Sequence, residues 1–293
     1  MTSPFAAAYS PAPPDEELAR QAVAGDAPAL EALLRRHERW IYNLALRMLQ
    51  SAADAEDATQ EILIRIATRL ASFREESAFR TWAYRLAVRS VLDHRRSRPE
   101  QVVKGFGCYA GLLAASPDED PPDGATPADE RLVVEEAKLS CLLGMLLCLD
   151  RDQRLAFVLG ELFDASDAVA GELLGLSREA FRQRLSRARE QVYSFARGHC
   201  GLMDARNPCR CARKTRAFVR AGIVDPDRLL FSPPHVARMH EEAARGRAVL
   251  DAAVGEAGAT IWRATPIAQP PDLVGRLREL LARDPLRAAL RLH

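Results

Sequence analysis

The chain has little excess of either charge, no long apolar run and no strand-like pattern. Lysine and arginine total 41 and aspartate and glutamate total 40, so the formal net charge is only +1. This excludes a generally basic nucleic-acid coat, and nucleic-acid binding must come from local clusters. No apolar run is long enough to span a bilayer, which excludes membrane insertion. Strict alternation of apolar and polar residues is missing, so an all-α fold is predicted.

The N-terminal sequence MTSPFAAAYSPAPPDEE has neither the basic region nor the apolar core of a signal peptide. We therefore expect residues 1–14 to form a disordered tail and the protein to be cytoplasmic. Cysteine is scarce, with six in 293 residues. In a reducing cytoplasm these residues are expected to be thiols or metal ligands rather than disulfides.

Apolar periodicity and composition divide the chain into segments. Hydrophobic residues make up 48% of the 293 residues, enough for two or three small packed domains. Helical spacing of apolar residues covers 15–98 and again 131–198. Between them, residues 99–130 include SPDEDPPDGATPADE, which predicts a flexible acidic linker. Residues 199–293 form a predicted helical extension that contains cysteines and no enzyme signature.

The most informative stretch is SAADAEDATQEILIRIATRLASFREESAFRTWAYRLAVRSVLDHRR, residues 51–96. An acidic amphipathic helix is followed by an aromatic-bearing loop and by a helix that ends in a basic run. The acidic side chains are Asp54, Glu56, Asp57 and Glu61. Like charges this close repel each other, and a basic protein partner would offset that cost. The alternative is the ordinary acidic charge of a helix N-terminus.

The loop FREESAFRTW and the helix after it interleave aromatic rings with arginines. Aromatic rings stack on unpaired bases, which is worth about 1–3 kcal/mol per base. The rings are Phe73, Phe79, Trp82 and Tyr84, and the arginines among them are Arg74, Arg80 and Arg85. Alternatively, Phe79 and Trp82 are core residues of a helical bundle. Phosphate contacts are predicted for Arg85, Arg89, Arg95, Arg96 and Arg98, unless this run is a solvated face.

Two helices joined by a tight turn at Gly175 are predicted from SDAVAGELLGL and SREAFRQRLSRAREQVYSFAR. This is the layout of a helix-turn-helix, with Ser177 capping the second helix. The first residues of a recognition helix face base edges. Here they are Arg178, Glu179, Arg182 and Gln183, with Arg184, Arg187 and Arg189 behind them. We expect Ala180, Phe181, Leu185 and Ala188 to face the core; the alternative is a solvated basic helix.

The extension opens with a cluster formed by His199, Cys200, Cys209 and Cys211. Four nitrogen and sulfur ligands suit a closed tetrahedral zinc site. The neighbouring cations, Arg206, Arg210, Arg213 and Lys214, would favour thiolates. A redox-sensing thiol pair and a metal-free structural set are the alternatives.

The order of these segments resembles the bacterial sigma-70-type RNA polymerase sigma factors, most closely the extracytoplasmic-function (ECF) group. The resemblance covers about residues 15–197 and is carried by DAEDATQE, SAFRTW and LLGLSREAFRQRLSRAR. It implies a region-2-like helical bundle over 15–98 and a region-4-like helix-turn-helix domain over 131–198. The linker joins these two domains, and the extension over 199–293 follows them.

The resemblance also implies a role for each segment. The factor would bind core RNA polymerase, recognise a promoter and help melt its −10 region, for a stress or envelope-type regulon. It would need no cofactor and catalyse nothing itself. The implied partners are the β′ clamp helices and β flap of the polymerase, promoter DNA and, as a candidate, an anti-sigma factor. The implied polymerase-binding residues are Asp54, Glu56, Asp57, Gln60 and Glu61. The implied −10 residues are Phe73, Arg74, Ser77, Phe79, Arg80, Trp82, Arg85, Arg89, Asp93, Arg95 and Arg96. The implied −35 residues are Ser177, Arg178, Glu179, Arg182, Gln183, Ser186 and Arg187.

The sequence departs from the family pattern at Arg89, where many members carry Asn, and at Glu179 to Gln183, where Gly-Thr-Val-Lys-Ser is usual. Two other functions stay open: a stand-alone helix-turn-helix regulator of duplex DNA, and a thiol- or zinc-responsive regulator. The amphipathic helices of the extension must bury their apolar stripes. They could form a small bundle or pack on the sigma-like domains, which would make the extension regulatory.

Overall fold

The computed structural model describes residue 5 and residues 9–119, 128–230, 262–263 and 265–281. Within these ranges every regular element is helical, which confirms the predicted all-α fold. No helix of the described part is long and apolar enough to cross a membrane. Contacts divide the chain into two compact units. Met1–Ser97, Phe163–Arg182 and Pro270–His293 form the first, and Arg98–Leu162 and Gln183–Gln269 form the second.

The first unit is built on four helices of the N-terminal segment: α1 (Asp15–Val23), α2 (Ala27–Leu49), α3 (Ala52–Arg69) and α4 (Phe79–Asp93). Side-chain caps define two of the starts. Asp26 accepts the Ala29 N–H at 3.0 Å, and Ser51 accepts the Asp54 N–H at 3.3 Å. Such caps satisfy backbone donors that a helix N-terminus leaves unpaired.

The part of the chain that the structure describes also contains the α-helices α5 (Arg98–Val102), α6 (Phe106–Ala115), α7 (Ala128–Gly144), α8 (Arg151–Phe157), α9 (Asp167–Leu174), α10 (Arg178–His199), α11 (Cys211–Arg220) and α12 (Leu273–Leu281). Both α11 and α12 lie in the predicted helical extension. A second amphipathic helix predicted for the extension, over residues 236–254, lies outside the described residues.

Buried apolar residues at helical spacing hold the first unit together. Leu33, Ile41 and Leu44 of α2 are fully buried, as are Ile62 of α3 and Ala87 of α4. These are the stripes that the 3.6-residue periodicity predicts.

An aromatic cluster extends this core beyond the four helices. Phe5 is buried, with its ring centroid 4.7 Å from that of Tyr84 and 5.2 Å from that of Phe163. Phe163 also packs edge-on against Trp40. Residues 1–14 were predicted to be a disordered tail, but Phe5 of this segment is a core side chain, because the rings of Tyr84 and Phe163 pack around it.

The first part of the predicted flexible linker, 99–130, is helical, since α5 and α6 lie in it. Contacts within the second unit hold it in place. The buried Glu100 carboxylate pairs with Arg151 at 2.7 Å and Arg154 at 2.8 Å. The Tyr109 hydroxyl donates to the Cys141 carbonyl at 2.8 Å. Composition indicated an unstructured connection, but these tertiary contacts order it; residues 120–127 lie outside the described part.

The predicted helix-turn-helix is present as α9, a tight turn and α10. Gly175 takes a left-handed conformation at φ 65°, and the Leu176 N–H donates to the Gly171 carbonyl at 2.9 Å. A Cβ at Gly171 would lie 2.9 Å from the Leu176 carbonyl oxygen, so this position requires glycine. Ser177 Oγ accepts the Ala180 N–H at 3.1 Å, which confirms the predicted cap.

Candidate functional site

The acidic residues of α3 present two accessible carboxylates and two half-buried ones. Asp57 and Glu61 are exposed, whereas Asp54 and Glu56 are half-buried, as is Gln60. Asp54 lies 3.5 Å from a guanidinium nitrogen of Arg95, and Glu61 pairs with Arg65 on the next turn of the helix. The Glu56 carboxylate faces Arg276 of α12 at 3.6 Å. These residues share one helix, and three of them, Asp54, Glu56 and Glu61, already have a cationic partner within the protein.

The aromatic loop folds into a compact cluster of rings. Phe73, Phe79 and Trp82 pack against one another with centroids 5.5 to 5.6 Å apart. Phe79 and Tyr84 are each 1% exposed, whereas Phe73 and Trp82 are half-buried. For Phe79 this favours the core alternative. Of the three packed rings, Phe73 and Trp82 keep surface that a base could stack on, and both pack against Phe79.

Cations surround this cluster on the loop and along α4. Arg74, Arg85, Arg89, Arg95 and Arg96 are exposed, and Arg80 is half-buried with its guanidinium 5.6 Å from the Tyr9 ring. Ser77 is half-buried and Asp93 is exposed. Arg85 donates to the Glu172 carbonyl of α9 at 3.1 Å and lies 3.6 Å from its carboxylate. Exposed arginines at these positions can reach a phosphate backbone, and Arg85 and Arg95 have contacts within the protein that they would have to give up.

The start of α10 presents polar side chains outward and apolar ones inward. Ser177, Arg178, Glu179, Arg182, Gln183, Ser186 and Arg187 are all exposed. Phe181, Leu185 and Ala188 are buried, as predicted, while Ala180 is half-buried. Arg182 donates to Glu179 at 2.8 Å and lies 3.4 Å from Asp167. This is the division of faces that reading a DNA groove requires.

The predicted zinc ligands do not come together as a metal-binding group. Within the described residues, no set of three or more His, Cys, Asp or Glu side chains is placed to hold a metal ion. His199 is exposed and stacks on Phe195, with Nδ1 3.0 Å from the Phe195 carbonyl oxygen.

Burial makes the thiols of this cluster harder to ionise. Burial raises the pKa of Cys200 and of Cys209, and it raises the pKa of Cys211 to about 12. Lys214 and Arg210 act on Cys209 in the predicted direction and lower its pKa, but burial raises that pKa by more.

The sequence patterns did not predict a polar network inside the first unit or the position of α12. His37 Nε2 lies 3.0 Å from the Asp15 carboxylate, which Arg36 also reaches at 2.6 Å. Glu38, the next residue of α2, accepts the Val274 N–H of α12 at 2.9 Å. The capping residue Asp272 before an apolar stripe signals the start of α12, but no local pattern indicates where that helix packs.

Comparison with known proteins matches the same segments. The family model of sigma-70 region 2 matches residues 33–99. The RNA polymerase sigma factor NccH of Alcaligenes xylosoxydans xylosoxydans is 30% identical over 179 residues, covering 61% of this chain and 92% of that protein. The ECF RNA polymerase sigma factor SigM of Mycobacterium tuberculosis (strain ATCC 25618 / H37Rv) is 29% identical over 178 residues, covering 61% and 82%. Among solved structures, that of CnrH in complex with the cytosolic domain of CnrY covers 63% of this chain and 97% of that chain, at 22% identity and a TM-score of 0.46.

The chain joins a helical bundle that carries an acidic helix to a helix-turn-helix. This arrangement is typical of DNA-binding transcription proteins, and the sequence matches show which family of them it is. The chain belongs to the sigma-70-type RNA polymerase sigma factors, in the extracytoplasmic-function group, and it acts in transcription initiation. The stand-alone helix-turn-helix regulator is not favoured by these matches.

Proposed function

We propose that the acidic face of α3 docks on the β′ clamp helices of core RNA polymerase. The observation that supports this most directly is the exposure of Asp57 and Glu61 one turn apart, with Gln60 beside them. Exposed carboxylates on a rigid helix speed and orient association with a basic surface. Docking there places the aromatic cluster of the same unit next to the polymerase.

The −10 element is bound by the aromatic cluster and the cations around it. The accessible surfaces of the Phe73 and Trp82 rings stack on a base released from the duplex, and Arg74 and Arg89 hold the adjoining phosphates. Phe79 supports these rings rather than touching DNA. Arg89 replaces an amide common in the family, so the preferred −10 sequence differs from that of members with Asn at this position.

The −35 element is read by the exposed start of α10. Arg178 and Gln183 can each hydrogen-bond base edges in the major groove, while Arg187 suits a phosphate. Arg182 is held by Glu179 and Asp167, so it must leave these carboxylates to contact DNA.

The finer biological setting follows the family resemblance. Sigma factors as a class are not enzymes, and nucleotidyl transfer belongs to the polymerase. Core polymerase and promoter DNA are the partners, with the β flap as the contact for the −35 domain and an anti-sigma factor as a further candidate. Action in the cytoplasm on a stress or envelope-type regulon, without a required cofactor, completes the proposal.

The proposed reading of the −35 element is tested by measuring promoter binding of reconstituted holoenzyme that carries Arg178→Ala. The matched control is Arg197→Ala, near the C-terminal end of the same helix. Arg178→Ala should weaken binding to a promoter with an intact −35 element by about 5- to 140-fold, equivalent to 1–3 kcal/mol. Binding should change little on a fragment whose −35 sequence is scrambled. Equal losses for both variants would contradict base reading by the start of α10.

A further inference from the structure

The helix α12 packs on α2 and α3 within the first unit, although it lies more than 200 residues beyond both of them in the sequence. Its apolar stripe is closed off from solvent: Leu273 is 0% exposed, and Val274 and Leu277 are each 2% exposed. Removing three such side chains from water is a substantial driving force for this packing. The contact therefore holds α12 in a defined position.

The N-terminus of α12 is fixed by two carboxylates, one of its own and one from α2. Asp272 accepts the Gly275 N–H at 2.8 Å, and Glu38 accepts the Val274 N–H at 2.9 Å. Burial raises the pKa of Glu38, while hydrogen bonds from the Val274 and Leu273 backbone oppose that rise. A helix N-terminus carries partial positive charge, so the α2 carboxylate complements it.

Ion pairs surround the apolar contact. Asp272 pairs with Arg35 of α2 at 2.8 Å, and Arg278 lies 3.4 Å from Glu31 of the same helix. Arg276 lies 3.6 Å from Glu56 of α3. Exposed pairs contribute little energy individually but set the register of the helix. The pair with Glu56 matters most here, because Glu56 belongs to the acidic surface of α3.

We propose that α12 is an internal occupant of the polymerase-binding surface at Glu56 of α3 and competes with core RNA polymerase for that part of the surface. This inference rests on the proposed docking of α3. An amphipathic helix with a basic edge is the kind of ligand that the acidic α3 surface selects, and α12 supplies one in the same chain. Binding of polymerase then requires α12 to leave, and any partner that captures α12 activates the factor.

The fraction of time that α12 covers the surface sets how strongly it weakens polymerase binding. When a binding-competent state is populated only in part, the apparent dissociation constant rises by the inverse of that fraction. If α12 covers the surface about nine-tenths of the time, binding of core polymerase is weakened about tenfold.

The test measures binding of core polymerase to the full chain and to its Leu277→Asp variant, by fluorescence anisotropy of the labelled factor. A carboxylate in the closed apolar contact displaces α12, so the variant should bind about tenfold more tightly. Glu279→Ala changes an exposed residue of the same helix and should bind like the unmodified chain. Equal binding of all three proteins would overturn the inference while leaving the proposed docking of α3 intact.

A second variant guards against damage to the fold. Arg276→Glu removes the cation from Glu56 at an exposed position, and it should tighten binding in the same direction by a smaller factor. Circular dichroism should show helix content close to that of the unmodified chain. If no form binds core polymerase, the proposed docking itself fails, whereas weaker binding by both folded variants would show that α12 assists the interaction and would overturn the inference.

Discussion

Replacing Trp82 by alanine tests the proposed capture of a −10 base. The Trp82 ring is half-buried, with its centroid 5.6 Å from those of Phe73 and Phe79, so one part of it packs inward and another faces solvent. A base stacked on the accessible part of the ring contributes about 1–3 kcal/mol. Removing the ring should therefore weaken binding of a single-stranded −10 oligonucleotide by about 5- to 140-fold.

The assay is fluorescence anisotropy of a labelled non-template strand titrated with holoenzyme. Trp82→Phe keeps a stacking face and should recover most of the affinity. Phe79→Leu is the matched control for damage to the ring cluster: it should lower the melting temperature with a smaller effect on the oligonucleotide. If Trp82→Ala holoenzyme forms normally and binds the strand as tightly as the unmodified holoenzyme, stacking on Trp82 is refuted.

Three further predictions concern docking, packing and pH. Asp57→Lys reverses an exposed charge on α3, and it should reduce co-purification with core polymerase while leaving the melting temperature nearly unchanged. Glu100→Ala leaves the buried Arg154 without its carboxylate partner, and urea unfolding should show a loss of about 3–5 kcal/mol. Burial opposes ionisation of Asp15, but hydrogen bonds from His37 and Arg36 prevail and hold its pKa below the ordinary 3.8. Below pH 4 the unfolded state thus binds more protons, so stability should fall as the pH drops through the folded pKa, and Asp15→Asn should flatten that fall in acid melts.

Local patterns predicted the helices and their buried faces well. Phe181, Leu185 and Ala188 lie on the inner face of α10 because helical spacing alone decides which side chains share a face. The cap at Ser177 and the turn at Gly175 follow from equally local chemistry. These features needed no knowledge of the rest of the chain.

Long-range packing explains what the sequence did not predict. Phe5 is buried because Tyr84 and Phe163, far away in sequence, form a site for its ring. The helix α5 is ordered because Glu100 meets Arg151 and Arg154. Among the candidate site residues, Phe79 proved to be a core ring, since the spacing of aromatic residues does not reveal which ring in a cluster lies innermost.

In the extension, too, long-range packing could not be predicted from local sequence patterns. Its amphipathic stripe indicated that α12 must bury Leu273 and Leu277 against something, and two arrangements stayed open. The structure has α12 packed on α2 and α3, with Glu38 of α2 bound to the N-terminus of α12. This contact joins residues 236 positions apart in the sequence. The predicted zinc ligands do not form a metal-binding group within the described residues, because spacing in sequence does not fix ligand geometry.

Run-off transcription with core RNA polymerase tests the central claim most directly. Genomic fragments are transcribed by core polymerase alone, with the full chain, and with its Leu277→Asp variant. We predict defined start sites that appear only when the chain is present, with higher yield from the variant at limiting concentration. If neither protein binds core polymerase or directs a start on any fragment, the assignment of this chain to promoter-directed initiation is contradicted.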